Sequence, residues 1–282
     1  MDLNEYARRK QNILSRMIAA LLQVFQQFLT RAISARDWQA FVHVTYTVMK
    51  PYRDEATELA RVFYDDNRAA QIPSVAPQDV YKDDYYPEEW FRQSMRPLFE
   101  HAQESRDSDA LIEEAVNRVT QTVEDGARRT IIQAVRDDVD APIRGIARWD
   151  PKPPTCAFCT MMISRGPVYH TNGDTAGWEH GTDKLEKLIL DQDFDTVNEL
   201  MNKWHPGCTC VAVPVYKYDN YPTQEQEEAA FEIYKRARKR VAHLMRVNES
   251  KNNTRLILNA MRQEIYSPSL EQDATTLPRN VA

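Results

Sequence analysis

The chain has 282 residues, of which 42% are hydrophobic and 28% charged, a balance typical of a folded protein with one large domain or two small ones. Its formal net charge of −6 excludes a protein that is basic throughout and binds polyanions over its whole surface. Only 7 residues are Gly, while Ala, Leu, Glu, Gln and Arg are plentiful, so the composition favours helix over sheet.

The N-terminal half is predicted to be a helical domain, residues 1–145. Apolar residues recur at steps of three and four over 13–29, which is the pattern of a long amphipathic helix. A second helix is expected to begin after Ser34, whose side chain can cap it, and Pro51 starts, kinks or interrupts the helical run that follows.

Two further helices complete this half. One is predicted over 87–102, with Pro87 at its first position. The other is predicted to be capped by Asp107 or Ser108 and to end near the acidic run that begins at Asp137.

A proline-rich stretch marks a change of character, and we place a small α+β module at 146–220. Two short runs favour β structure, 167–169 and 211–216, and the second is expected to be an edge strand because Pro214 has no N–H. Residues 183–204, between these runs, are interpreted as an inserted pair of short helices.

Helical periodicity returns at 223–247 and 254–266, so basic C-terminal helices are predicted over 221–267. The tail at 268–282 is polar and expected to be disordered. The fold predicted from the whole pattern is mainly α, with long N-terminal helices, the small Cys/His module and the C-terminal helices.

The most specific signal is the placement of the cysteines, since all four lie in the motifs Cys156-x-x-Cys159 and His205-x-x-Cys208-x-Cys210. Cys156, Cys159, His205 and Cys208 supply the four donors of a tetrahedral site, with each pair on a tight turn. Cys210 is a fifth candidate that could replace Cys208, because alternate residues of an extended chain point the same way.

No signal peptide and no apolar run of about 20 residues is visible, so we expect the chain to fold in a reducing cytosol without membrane contact. Soft sulfur with one imidazole then favours a structural zinc ion. Two alternatives stay open, namely disulfides in an extracellular particle and free, packed thiols.

A catalytic metal would need an open coordination position and a general base, for which Glu179 and His180 are available between the motifs. The signature of zinc deaminases, His-x-Glu followed by Pro-Cys-x-x-Cys, is absent in that order. We therefore expect no enzymatic activity, with a metal-dependent nuclease or hydrolase as an alternative.

The motif residues resemble a known family. Arg148-Trp149, the "CAFC" of 156–159, the "SRGPVY" of 164–169 and the motif at 205–210 are similar to the head-morphogenesis domain of the phage Mu protein F family. The nearest variant is the MuF-like minor capsid protein of tailed phages that infect actinobacteria. Weaker similarity extends the resemblance to about 55–216, and the insertion after "GPVY" departs from the family's usual spacing.

This resemblance implies a structural role in the phage head. Such proteins are carried in few copies inside the capsid near the portal vertex, after assembly in the host cytoplasm, and some assist DNA packaging or ejection. The implied partners are the portal protein, the major capsid protein and packaged double-stranded DNA. The family's motif positions fall here on Cys156, Cys159, His205, Cys208 and Cys210.

Cations cluster on the C-terminal helix, and Arg128 with Arg129 adds a smaller pair. The cluster is Lys235, Arg236, Arg238, Lys239 and Arg240. One interpretation is a solvated helix face whose charges follow the helix dipole. The other is a contact with DNA or with an acidic portal surface, which keeps a zinc-stabilised nucleic-acid-binding module open as an alternative function.

Overall fold

In a computed structural model, the chain is described at residues 1–30, 33–76, 85–105, 107–141, 143–152, 156–167, 204, 207–217, 219–247 and 253–266. The described residues form seven helices and two strands, which confirms the predicted mainly α fold. Their bounds are α1 Leu3–Leu29, α2 Ala35–Gln71, α3 Glu88–Glu104, α4 Ser108–Asp137, β1 Gly145–Trp149, α5 Ala157–Ile163, β2 Val211–Val215, α6 Gln224–Val247 and α7 Asn253–Tyr266.

Helix α1 is the amphipathic helix predicted from the apolar spacing. The carboxylate of Asp2 accepts the backbone N–H of Glu5 at 2.8 Å and so caps its first turn. One face packs against α2 and α4 because its apolar side chains recur once per turn. The buried members of that face include Ile13, Leu14, Met17, Leu21, Phe25 and Leu29.

Helix α2 begins as predicted, since the Ser34 hydroxyl accepts the N–H of Asp37 at 3.1 Å. The helix then continues for 37 residues with Pro51 inside it, so Pro51 neither starts nor ends a helix. Packing of α2 against α1, α3 and α4 compensates for the backbone hydrogen bond that a proline removes.

The ends of α3 and α4 follow the sequence signals to within two residues. Pro87 precedes α3 as its N-cap instead of filling the first helical position, and α3 extends to Glu104. The Asp107 carboxylate accepts the N–H of Ala110 at 3.1 Å, so Asp107 is the cap of α4. Helix α4 ends at Asp137, where the acidic run was predicted to stop it.

Strands β1 and β2 form an antiparallel pair in which Gly145 lies opposite Val215 and Trp149 opposite Val211. The sequence predicted β2 and missed β1. Four of the five β1 residues are buried, so the polar/apolar alternation of a half-exposed strand is absent. The prediction of a strand near Pro167 extends to 169 and lies outside the described residues.

The outer edge of β2 is covered by the last two turns of α2. The side-chain amides of Asn67 and Gln71 both donate to the carbonyl of Pro214 at 2.9 Å. The Gln71 side-chain oxygen also accepts the N–H of Tyr216 at 3.0 Å. Pro214 has no N–H that would need a partner, so these two side chains satisfy the backbone at this end of the edge.

The two C-terminal helices pack against each other, and α5 packs on both. Their bounds lie within one residue of the prediction. The Gln226 side chain exchanges two hydrogen bonds of 2.7 Å with the backbone of Asp150, which ties α6 to the end of β1. None of the helices in the described ranges is long and apolar enough to cross a membrane. The predicted helical insertion at 183–204, except Trp204, and the tail at 268–282 lie outside those ranges.

A buried ion pair joins the C-terminal ends of α2 and α4. The Arg68 guanidinium donates to the Asp138 carboxylate at 2.5 and 3.2 Å, and the Tyr64 hydroxyl donates to it at 2.7 Å. Burial alone would raise the pKa of Asp138, but the hydrogen bonds from Arg68 and Tyr64 outweigh it and hold the pKa below its usual value. The ionised form of Asp138 is therefore the one that stabilises the fold.

We expect Asp138→Asn to lower the free energy of unfolding at neutral pH by about 3–5 kcal/mol, since Arg68 would stay buried without a counter-charge. The contribution of Asp138 is present above its unfolded pKa of about 3.9 and is lost as pH falls through its lower folded pKa. Urea denaturation from pH 7 downward checks both statements. The exposed neighbour Asp137→Asn is the control, and an equal loss in both variants would contradict the prediction.

Candidate metal centre

The first cysteine pair lies at the start of α5, which the sequence did not predict. Cys156 is the N-cap, and its sulfur accepts the backbone N–H of Cys159 at 3.4 Å. The expected metal-knuckle turn is therefore wrong in detail, because Cys159 already belongs to a helix. The first turn of that helix nevertheless keeps both thiols at one end.

The second pair lies in an extended segment that leads into β2. Gly207 has φ +74°, a left-handed conformation that glycine adopts without strain, and it forms the turn that the sequence predicted. Cys208 and Cys210 follow at alternate positions, so both side chains point to the same side. His205 lies outside the described residues and stays a predicted ligand.

The fold brings the two motifs together. The sulfur atoms of Cys159 and Cys208 are 3.6 Å apart, and those of Cys159, Cys208 and Cys210 all lie within 4.8 Å of one another. All three residues are buried. Cys208 and Cys210, which the sequence treated as alternatives, thus both join the cluster, and the half-buried Cys156 lies beside Cys159.

This spacing fits one shared metal ion. Two thiolates on a tetrahedral metal with bonds of about 2.3 Å lie about 3.8 Å apart, close to the separation of Cys159 and Cys208. A disulfide needs about 2.05 Å between its sulfurs, far less than the 3.6 Å between Cys159 and Cys208. The cluster of Cys159, Cys208 and Cys210 can therefore hold a metal.

The same packing disfavours bare thiolates. Hydrogen bonds with Cys156, Cys208 and Cys210, together with burial, raise the pKa of Cys159. A hydrogen bond with Cys159 lowers the pKa of Cys210, but Cys208 and burial outweigh it and raise the pKa overall. A metal ion supplies the positive charge that several adjacent thiolates need, and its binding would release their protons.

Arg128 of α4 fixes the segment that carries the second pair. Its buried guanidinium donates to the carbonyl of Cys208 at 2.5 Å and to the carbonyl of Cys210 at 3.2 and 3.3 Å. It also pairs with Glu124 at 2.7 Å and Asp125 at 3.0 Å. Burial lowers the pKa of Arg128, but the negative charges around it outweigh burial and raise it, so the group is always charged.

Trp204, just before the second motif, is buried between two guanidinium groups. The Arg148 group lies 3.7 Å and the Arg128 group 4.3 Å from the ring centroid, which are cation–π distances. The Gln121 amide also donates to the Trp204 carbonyl at 2.9 Å. The chain that leads into the cysteine segment is therefore held against α4 and β1.

Thr209, between the two cysteines, is held from two further sides. Its hydroxyl donates to Asp150 at 3.0 Å, at the end of β1. Lys10 of α1 is buried, pairs with Glu124 at 2.9 Å and reaches the carbonyl of Thr209 at 3.4 Å. Three elements, α1, α4 and β1, thus position one short segment.

The structure corrects the interpretation of Arg128 and Arg129 as part of a basic surface, because both are buried. Acidic residues three and four positions before Arg128 were the available signal for an internal ion pair. The predicted cations of α6 are exposed: Lys235, Arg236, Arg238, Lys239 and Arg240. Glu179 and His180, the candidates for a catalytic base, lie outside the described residues.

Comparison with known proteins gives relatives that match over most of the chain. A family described as VG15 protein matches residues 1–237. The chain is 29% identical to the Gene 15 protein of Mycobacterium phage D29 over 260 residues, which covers 88% of this chain and 94% of that protein. It is 27% identical to the Gene 15 protein of Mycobacterium phage L5 over 287 residues, or 94% and 95% of the two chains. No solved structure matches.

We expect Arg128→Met to lower the free energy of unfolding by about 3–5 kcal/mol, because Glu124 and Asp125 would stay buried with too little positive charge. The carbonyls of Cys208 and Cys210 would also lose their donor. Urea denaturation followed by circular dichroism measures the change. Arg136→Met, on the same helix and only partly buried, should cost well under about 1 kcal/mol, and similar costs for both variants would contradict the role given to Arg128.

Proposed function

Because the chain belongs to the VG15 family of phage proteins, we propose that it is a structural component of the phage particle, a minor capsid protein acting in head assembly near the portal. The near full-length similarity to two mycobacteriophage proteins supports a phage role. The motifs that resemble the phage Mu protein F family support the narrower assignment to the head. Portal protein and major capsid protein are the partners that this assignment implies.

The observation that carries this proposal is the buried sulfur cluster, fastened to the helices of the first half through Arg128. A catalytic metal keeps a position open to water and substrate, whereas a structural metal is closed by protein donors. Cys159 and Cys210 are 0% exposed, which supports the closed kind. The site is thus suited to holding a shape, and we propose a function that depends on assembly and involves no turnover.

We further propose that the metal is zinc. Sulfur donors at tetrahedral spacing favour zinc over the hard cations calcium and magnesium. Cys159, Cys208 and Cys210 supply three donors. We propose Cys156 as the fourth, since its sulfur lies at the same end of α5 as Cys159. It would replace His205, which the sequence placed among the four donors with Cys210 as the alternate.

We expect one zinc ion per chain, and Cys159→Ser should abolish its retention and lower the melting temperature by several degrees. Elemental analysis of protein purified without added metal, together with thermal denaturation, measures both. Met161→Leu, a conservative change on the same helix, should keep the zinc. If Cys156→Ser keeps the zinc and His205→Ala loses it, His205 is the fourth donor in place of Cys156. Protein that is purified without metal, with its thiols free or in disulfides, would contradict the zinc proposal.

The role in the particle is tested with particles of the phage that encodes the chain. After density-gradient purification and nuclease treatment, quantitative mass spectrometry should find the protein at a constant ratio to the portal protein, and cross-linking should join the two. A major tail protein serves as the stoichiometry standard. Absence of the chain from DNA-filled particles would overturn the structural role, whatever the metal content of the purified protein.

A further inference from the structure

The exposed cations of α6 fall into two groups with different surroundings. Arg236 and Arg240 lie on the side that faces α7, where the largely buried carboxylate of Glu264 meets them at 3.2 and 2.7 Å. Glu264 balances one of these two charges and holds them against α7. These two arginines therefore serve the packing of the two helices.

The second group is Lys235, Arg238 and Lys239, on another side of α6. Together with Phe231, Tyr234 and Ala242 these cations line a shallow groove, and we call the six residues the basic stripe. The six positions recur at steps of three and four and so share one face of the helix. Within the described residues, neither Arg238 nor Lys239 has an ion-pair partner, and the exposed pair of Lys235 with Glu232 at 2.6 Å contributes little.

The aromatic residues of the basic stripe are already engaged. Lys235 lies 5.2 Å from the centroid of the Phe231 ring, and the rings of Phe231 and Tyr234 are stacked with centroids 6.4 Å apart. A nucleic-acid base that stacked on Phe231 would compete with these contacts for the ring. The stripe therefore offers charge to a phosphate backbone more readily than it offers rings to unpaired bases.

We propose that the basic stripe binds the phosphate backbone of double-stranded DNA. Three cations on one side of a helix complement a regular array of phosphates, and such contacts position a protein without reading sequence. The acidic balance of the whole chain, −6, argues against attraction over the whole surface, so a local cluster of cations is needed. The inference deepens the proposed role in the phage particle, but its test is a solution measurement that needs neither the particle nor the portal.

The test is fluorescence anisotropy of a labelled 30-base-pair duplex of mixed sequence, titrated with the full chain. Neutralising three phosphates predicts a slope of about −2.7 for log K against log salt, or about 40-fold weaker binding at 200 mM than at 50 mM salt. The triple variant Lys235→Gln/Arg238→Gln/Lys239→Gln should lose at least about tenfold in affinity at low salt, and its slope should approach zero.

A charge-matched control separates this site from a general effect of net charge. Arg8→Gln/Arg9→Gln/Arg36→Gln removes three exposed cations from α1 and α2. It should change the affinity by less than about threefold and keep the slope. Circular dichroism and thermal denaturation confirm that both variants remain folded, which is expected because every substituted side chain is exposed.

Four results would overturn the proposal. Equal losses in the two triple variants would assign the binding to net charge. Binding that does not change with salt would exclude phosphate contacts as its source. Tighter binding of a single strand of the same sequence would move the contact to bases. A poly-glutamate peptide that binds the chain when the duplex does not would identify the stripe as a site for an acidic protein.

Discussion

The buried guanidinium of Arg128 lies where the two halves of the molecule meet. It is surrounded by two carboxylates of its own helix and by the carbonyls of Cys208 and Cys210. A charge in this environment is stable only if all of these partners stay in place, because each one offsets part of its desolvation. The cysteine segment is therefore positioned by a helix that contributes no sulfur to the cluster.

Polar junctions also tie the small sheet and the cysteine segment to the surrounding helices. Asn67 and Gln71 bind the edge of β2, Lys10 reaches Thr209, and Gln226 binds the backbone beside Asp150. Each junction joins elements far apart in sequence, so the small sheet forms only on assembled helices. A metal ion would add a further link, between α5 and β2.

The sequence predicted the long helices well because their apolar residues recur once per turn, and caps such as Ser34 and Asp107 mark where they begin. Helix α4 goes further than a single stripe, since residues 122–132 are buried without a break. Strand β1 and helix α5 are short, almost fully buried and close to prolines, so they carry no periodic signal. Cysteine spacing and sulfur chemistry were enough to predict that the two motifs meet. Glu124 and Asp125 indicate an ion pair with Arg128, but they do not indicate its burial, because the same spacing occurs on exposed helix faces.

The covered edge of β2 limits how the molecule can join a larger assembly. Asn67 and Gln71 already occupy the carbonyl of Pro214, Gln71 also occupies the N–H of Tyr216, and Pro214 has no hydrogen to donate. A neighbouring polypeptide therefore cannot extend the sheet from this side by β-augmentation. The helical surfaces remain available to a neighbour, and contacts there can form and shift without disturbing the cysteine cluster.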